Sequence, residues 1–375
     1  MKRLCFFLAI IVSAAEPPKP VPFEGTLSMP ARLPDGRLIS LIADARPFSE
    51  MATEGPEIWI ARRLSADHGQ TWSAPERVYR FPAGKGVVTS QVFPLVDQAG
   101  SVHAFATRYY SLPKGNQVKG HSELFHAVSK DQGQTWSTPA RADFGHTYTG
   151  AINSIIQLKS GRILGALSYL SDNFIASVGQ GEFRCVSFYS DDLGQTWKVG
   201  QDDMRVPFGP QVVHPGAIEP VLLELSPNRV QMLIRTQTLR MYEAFSSDGG
   251  ATFSTPGATR FMAPDSPAAI LRLRNGHLLL AWNDIQAYPM GVTGHFRQYL
   301  YAAISKDNGK TWTASKRVGP LEEPDRPGSR GDYPFLCETT NGAVLLYYTR
   351  FGLRTGSSYE KQHNELVRLD PPWWN

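Results

Sequence analysis

Five copies of one eight-residue pattern organise this chain. They read SADHGQTW from Ser65 to Trp72, SKDQGQTW from Ser129 to Trp136, SDDLGQTW from Ser190 to Trp197, SSDGGATF from Ser246 to Phe253 and SKDNGKTW from Ser305 to Trp312. Their aspartates, Asp67, Asp131, Asp192, Asp248 and Asp307, are spaced by 64, 61, 56 and 59 residues. A turn sequence recurring at a near-constant period means a repeat architecture, in which each unit leans on its neighbours. The pattern reads as a folding device. Asp accepts a hydrogen bond from a backbone N–H two residues on, Gly supplies a backbone angle that other residues avoid, and Thr-Trp re-enters a strand with an indole to bury. No glutamate recurs at the offset that a calcium loop needs.

A second repeat lies between the boxes. Six apolar segments are interrupted by similar turns, at Gly36, Gly100, Gly161, Asn228, Gly276 and Gly342. Apolar runs on both sides of a Gly or Asn turn are β-hairpins. Each of the first five is followed by one box, so a unit is a hairpin, a strand, a box turn and a strand. Six units of four strands each need cover on both faces, and radial closure provides it. The expected fold is therefore all-β, a six-bladed β-propeller of four-stranded antiparallel blades.

The repeat fills one domain, taken as residues 16–375. Residues 1–15 differ: Lys2 and Arg3 precede an apolar run from Leu4 to Val12, and Ser13-Ala14-Ala15 offers small residues for cleavage. That is the pattern of a signal peptide, too short to span a membrane as a helix. It implies a secreted or periplasmic protein with no membrane span in the mature chain. Glu16 to Val21 reads as an extended lead-in. Without Lys2 and Arg3, 36 basic residues face 34 acidic ones, from 38 and 34 in the whole sequence. No basic run stands out, so nucleic acid is not an expected partner. Cys185 and Cys337 fall in units three and six, too far apart to bridge, and are expected as buried free thiols. A body this large is stabilised by burial without disulfides. The nine histidines show no zinc-ligand spacing, no cofactor is implied, and a monomer is expected.

Hairpin symmetry indicates where chemistry gathers. Residues equidistant from a turn lie opposite each other on paired strands, so the far ends of the hairpins line one rim of the central channel. This places Glu219 opposite Arg235, Tyr333 opposite Thr349 and beside Arg350, Ser28 across from Ala43 and near Asp44 and Arg46, and Ser266 opposite Asp284. Arg297 opens the next strand of the fifth unit. Arg, Glu and Tyr on one rim suit an anionic ligand.

The boxes resemble the Asp-box repeats of sialidases, and the whole mature chain looks like that superfamily of six-bladed propellers. The resemblance implies roles. Glu219 and Arg235, in IEP…LIRT, are similar to the family's glutamate and second arginine. Arg297, before YAAISKDNGKTW, is similar to the third arginine, and Tyr333, in DYPFLCETTNGAVLLYY, to the nucleophile. Tyr333 then attacks, Glu219 takes its proton, and the arginines hold the carboxylate of a terminal acidic sugar of sialic-acid type. Guanidinium groups suit carboxylates, and a neutral tyrosine escapes the repulsion that a carboxylate nucleophile meets. Two departures stand out. Ser28, in LSMP, occupies the place of the first arginine, and Arg46 is the nearest replacement. The loop RPFSEMATEGPEIW has no Asp for the acid/base role, leaving Glu54 or Glu50. These departures keep two alternatives open: a lyase or hydrolase of uronate-containing polysaccharide, and a non-catalytic glycan-binding propeller.

Overall fold

The computed structural model describes residues 16–44, 58–82, 87–110, 121–142, 144–146, 148–149, 152–175, 180–201, 203–209, 214–287, 297–321, 330–352, 354–355, 358–359 and 363–374. Residues 1–15, expected as a signal peptide, lie outside them, as do Arg46, Glu50 and Glu54.

The hairpins and box strands assemble into six four-stranded antiparallel blades. Blade one is built from Pro30–Arg32, Leu38–Asp44, Trp59–Ser65 and Glu76–Arg80. Blade four uses Ile218–Ser226, Arg229–Arg235, Arg240–Ser246 and Gly257–Met262. Blade five uses Ala269–Arg272, Leu278–Trp282, Leu300–Ser305 and Lys316–Gly319. Blades two and three, between Val87 and Val199, follow the same order.

Blade six departs from the plan. Arg330–Glu338, Val344–Phe351 and His363–Leu369 come from the C-terminal end, and the fourth strand is Lys19–Pro20. Lys19 pairs with Arg368 and Pro20 with Val367. The lead-in is thus the outermost strand of the last blade and closes the ring. The apolar core repeats the closure. It divides into six clusters, one at each interface between successive blades, including one that joins Leu27, Met29 and Leu38 to Phe335, Leu345 and Tyr347. Cys185 and Cys337 are buried free thiols.

The boxes are tight turns with a different bond from the one expected. Asp67 Oδ1 accepts from the backbone N–H of Thr71, four residues on, at 2.9 Å, and Oδ2 accepts the Thr71 hydroxyl at 2.6 Å. Ser65 Oγ donates to Asp67 Oδ1 at 2.8 Å and accepts from Gly69 N at 2.8 Å. The same bonds recur around Asp131, Asp192, Asp248 and Asp307. Hydrogen bonds from the Thr135 hydroxyl and backbone, largest first, pull the Asp131 carboxyl down to about 2. Between blades three and four, on the box end, a groove of about 370 Å³ is lined by Ser160, Arg162, Asp191, Asn228 and Asp248. None of the candidate site residues lines it.

Candidate active site

Two bulges in the first strands of blades four and six set the geometry. In blade four, Ile218 pairs with Arg235 and Val221 with Leu233, so Glu219 and Pro220 together oppose Ile234. In blade six, Asp332 pairs with Thr349 and Phe335 with Tyr347, so Tyr333 and Pro334 oppose Tyr348. Both bulges are X-Pro steps. Proline has no N–H for the ladder, and an extra residue absorbs the gap. Glu219 has φ 46° and Tyr333 φ 58°. A residue before proline ordinarily stays extended, so each position stores strain of about 1–3 kcal/mol. The bulges also shift the expected register by one: Ile218 faces Arg235, and Asp332 faces Thr349.

The bulges turn both side chains to one point. Tyr333 Oη donates to Glu219 Oε1 at 3.1 Å. Arg235 Nη1 donates to Glu219 Oε2 and lies 3.4 Å from Tyr333 Oη. Glu219 and Arg235 are buried, and Tyr333 is partly so. Burial and then the Glu219 charge push the Tyr333 phenol well above its ordinary range, against the pull of Arg235. The phenol is therefore neutral at physiological pH, with a carboxylate placed to receive its proton.

A second shell of charge surrounds this triad. Arg235 Nε donates to Asp265 Oδ1 at 2.7 Å. Arg297 Nη2 lies 3.5 Å from Asp265 Oδ2, and Arg297 Nη1 donates to Asp332 Oδ2 at 3.0 Å. Gln237 Nε2 donates to Asp265 Oδ2 at 2.7 Å, and His214 Nδ1 lies 2.9 Å from the same oxygen. Burial raises the Asp265 carboxyl, but His214, Arg235 and Arg297 outweigh it and hold it far below the usual range. Asp332 behaves oppositely: fully buried, it is raised by desolvation despite Arg297 and Arg330. Asn283 Nδ2 ties the two approaches together, donating to Tyr299 O at 2.9 Å and to Gly331 O at 3.0 Å.

Glu219, Arg235, Arg297 and Tyr333 are thus brought together, whereas Ser28 and Arg350 make no hydrogen bond or ion pair with them among the described residues. Ser28 is buried, but its backbone N and O both bond Ser40 Oγ at 2.9 Å instead of facing Ala43. The ladder pairs Pro30 with Ser40, which puts Ser28 in step with the strand one residue earlier than the turn count suggests. Asp44 ends its strand opposite Trp59, and its side chain lies outside the described residues. Arg350 turns to Glu365, 3.8 Å away, and no contact joins it to the cluster among the described residues. Asp265 and Asp332 were missed. Asp332 carried a signal, since it adjoins Tyr333; Asp265 sits in a connection between blades, where no periodicity speaks. Among the described residues no group of three or more His, Cys, Asp or Glu is arranged to hold a metal ion.

Comparison with known proteins bears on the fold. Residues 45–346 match the model of the BNR repeat-like domain. The chain belongs to that family. It is 28% identical over 359 residues to a sialidase of Micromonospora viridifaciens, an alignment covering 86% of this chain and 49% of the relative. The chain therefore spans about half the length of that curated relative. Among solved structures it resembles the Hadza microbial sialidase Hz136, with TM-score 0.65 at 18% identity over 92% of this chain and 66% of the other. A Dyadobacter fermentans protein of unknown function gives TM-score 0.64 at 19% identity, covering 95% and 98%. The NanB sialidase of Streptococcus pneumoniae gives 0.64 at 14%, covering 96% and 71%. Likeness at these identities establishes the fold, and that fold is the sialidase-like six-bladed propeller.

Proposed function

We propose that the protein is an exported exo-glycosidase of the sialidase type, with Tyr333 as nucleophile and Glu219 as its base. The observation that carries this reading is the 3.1 Å hydrogen bond from Tyr333 Oη to Glu219 Oε1, with Arg235 touching both. The phenol is a poor nucleophile while protonated. As Oη approaches the anomeric carbon of a terminal sugar, its proton passes to Glu219, the C–O bond to the aglycone breaks, and a glycosyl-tyrosine forms. Arg235 steadies the charge on whichever oxygen carries it. Water then attacks the same carbon and gives a proton to the carboxylate that protonated the aglycone, the bond to Tyr333 Oη breaks, and the phenolate recovers a proton from Glu219. Two displacements at one carbon retain the anomeric configuration.

The substrate class that fits two convergent arginines is a terminal acidic sugar of sialic-acid type, its carboxylate directed to Arg235 and Arg297. Glu54 or Glu50, in the loop after the first hairpin, is assigned the leaving-group proton. Residues 1–15 are assigned to export, and no helix among the described residues is long and apolar enough to cross a membrane.

The test is hydrolysis of a fluorogenic sialic-acid glycoside by the wild type beside Tyr333→Phe and Glu219→Gln. Removing the nucleophile should lower kcat by about 10³-fold or more, and removing the base by roughly 10²–10⁴-fold. Melting temperatures should stay close to that of the wild type. Undiminished turnover in Tyr333→Phe would remove tyrosine from the mechanism.

A further inference from the structure

The two guanidinium groups assigned to the substrate's carboxylate already share a carboxylate of the protein. Asp265 Oδ1 takes the Nε–H of Arg235 at 2.7 Å, and Asp265 Oδ2 lies 3.5 Å from Arg297 Nη2. Among the described residues the remaining side-chain contacts of these cations go to Glu219, Tyr333 and Asp332. Among the described residues Arg235, Arg297 and Arg330 face Glu219, Asp265 and Asp332, three cations against three carboxylates.

Asp265 differs from the other two acids in its position. Glu219 and Asp332 are on strands and their side chains are 2% and 0% exposed, whereas Asp265 is 20% exposed and sits on the connection between Gly257–Met262 and Ala269–Arg272. Ser266 N bonds Pro264 O at 2.7 Å across it, so Asp265 is the centre of a one-residue turn with Pro264 before and Pro267 after the pair. That turn presents the carboxylate to Nε of Arg235, while Nη1 of the same guanidinium meets Glu219 and Tyr333. Gln237 and His214 hold it there through Oδ2. A ligand carboxylate directed at Arg235 and Arg297 meets this group at contact distance, and two anions cannot share those faces without strong repulsion.

We infer that Asp265 is a resident counter-ion standing in the place of a substrate carboxylate, so that an acidic sugar binds Arg235 and Arg297 only by displacing it. Asp265 is then a specificity-determining residue: it weakens binding of anionic sugars and leaves neutral ones unaffected. The inference rests on the reading of Arg235 and Arg297 as the carboxylate-binding pair.

Calorimetric titration with N-acetylneuraminic acid and with its methyl ester tests it, on the wild type, Asp265→Asn and Asp265→Ser. Asn keeps an oxygen for Arg235 Nε and removes the charge, at the loss of the oxygen that accepts from Gln237. The acid should bind Asp265→Asn at least tenfold tighter than the wild type, Asp265→Ser should gain at least as much, and the ester should bind all three alike. Equal or weaker binding of the acid by Asp265→Asn with an unchanged melting temperature overturns the inference, and so does an equal gain for the ester. The result separates from that of Tyr333→Phe. Turnover surviving in Tyr333→Phe sinks the nucleophile assignment without touching these affinities, and unaltered affinities sink the counter-ion without touching Tyr333.

Discussion

Asp97, His103 and His126 form a buried polar file through blade two. His103 Nε2 is 3.2 Å from Asp97 Oδ2, and His103 Nδ1 is 2.9 Å from His126 Nε2. Two ring nitrogens facing each other share one proton, so both rings cannot be cationic. Burial first, and His103 second, push His126 down to about 3 from 6.5. Between those values the unfolded chain binds a proton that the folded chain refuses, so stability falls as pH drops from 6.5 toward 3. Urea midpoints measured across that range should decline in the wild type, and His126→Gln should flatten the slope. An identical slope in the variant would remove His126 as its source. The sequence could not show this file, because its members are joined across paired strands. It did place Glu219, Arg235 and Tyr333 at the rim, because equal distance from a turn converts directly into position there, and Arg297 by its place ahead of the fifth box. It was one residue out at Glu219 and Tyr333, where each X-Pro step inserts a bulge.

At the scale of the element, the box glycines do more than turn the chain. Gly69 lies against Leu345 of blade six, Gly133 against Ile39 of blade one, Gly194 against His126 of blade two and Gly250 against Leu164 of blade three. Four of the five boxes thus dock on the preceding blade through a residue without a Cβ, while Gly309 of the fifth lies against Leu278 of its own blade. The motif's turn was legible in the sequence, but its docking was not, since the partner lies in another repeat. Two substitutions separate the two roles. Gly276 has φ 87° with nothing within 4 Å of an added Cβ, whereas Gly133 has φ 85° and its Cβ would meet Ile39 Cδ1 at 2.6 Å. Gly276→Ala costs only the left-handed backbone, about 1–2 kcal/mol. Gly133→Ala adds overpacking of roughly 1–3 kcal/mol. Chemical denaturation should therefore rank Gly133→Ala as the less stable; equal losses would mean that the interface yields freely.

At the scale of the whole molecule, a ring of blades has one seam, and here two residues of the lead-in close it. Nothing in Lys19-Pro20 carries a strand period, and its partners lie almost the full chain length away, so the sequence read it only as extended. Its pairing with Arg368 and Val367 continues as Val21 N bonds Leu366 O at 2.8 Å, and Val21 is buried against the cluster shared by blades six and one. Without residues 16–22 the strand His363–Leu369 becomes an open edge. Losing the burial of Val21, worth about 1.5–3 kcal/mol, with hydrogen bonds worth about 1 kcal/mol each, should lower the melting temperature by roughly 4 °C for a chain of this size. Tyr333 stands on the same blade, and its bulge is strained, so slack at the seam should reach the site as well. A chain starting at Phe23 should both melt earlier and turn over a glycoside more slowly than the wild type at a temperature where both are folded. Earlier melting with full turnover would mean that the bulge at Tyr333-Pro334 is held by blades five and six alone. An unchanged melting temperature would mean that the six interblade clusters close the ring without its last strand.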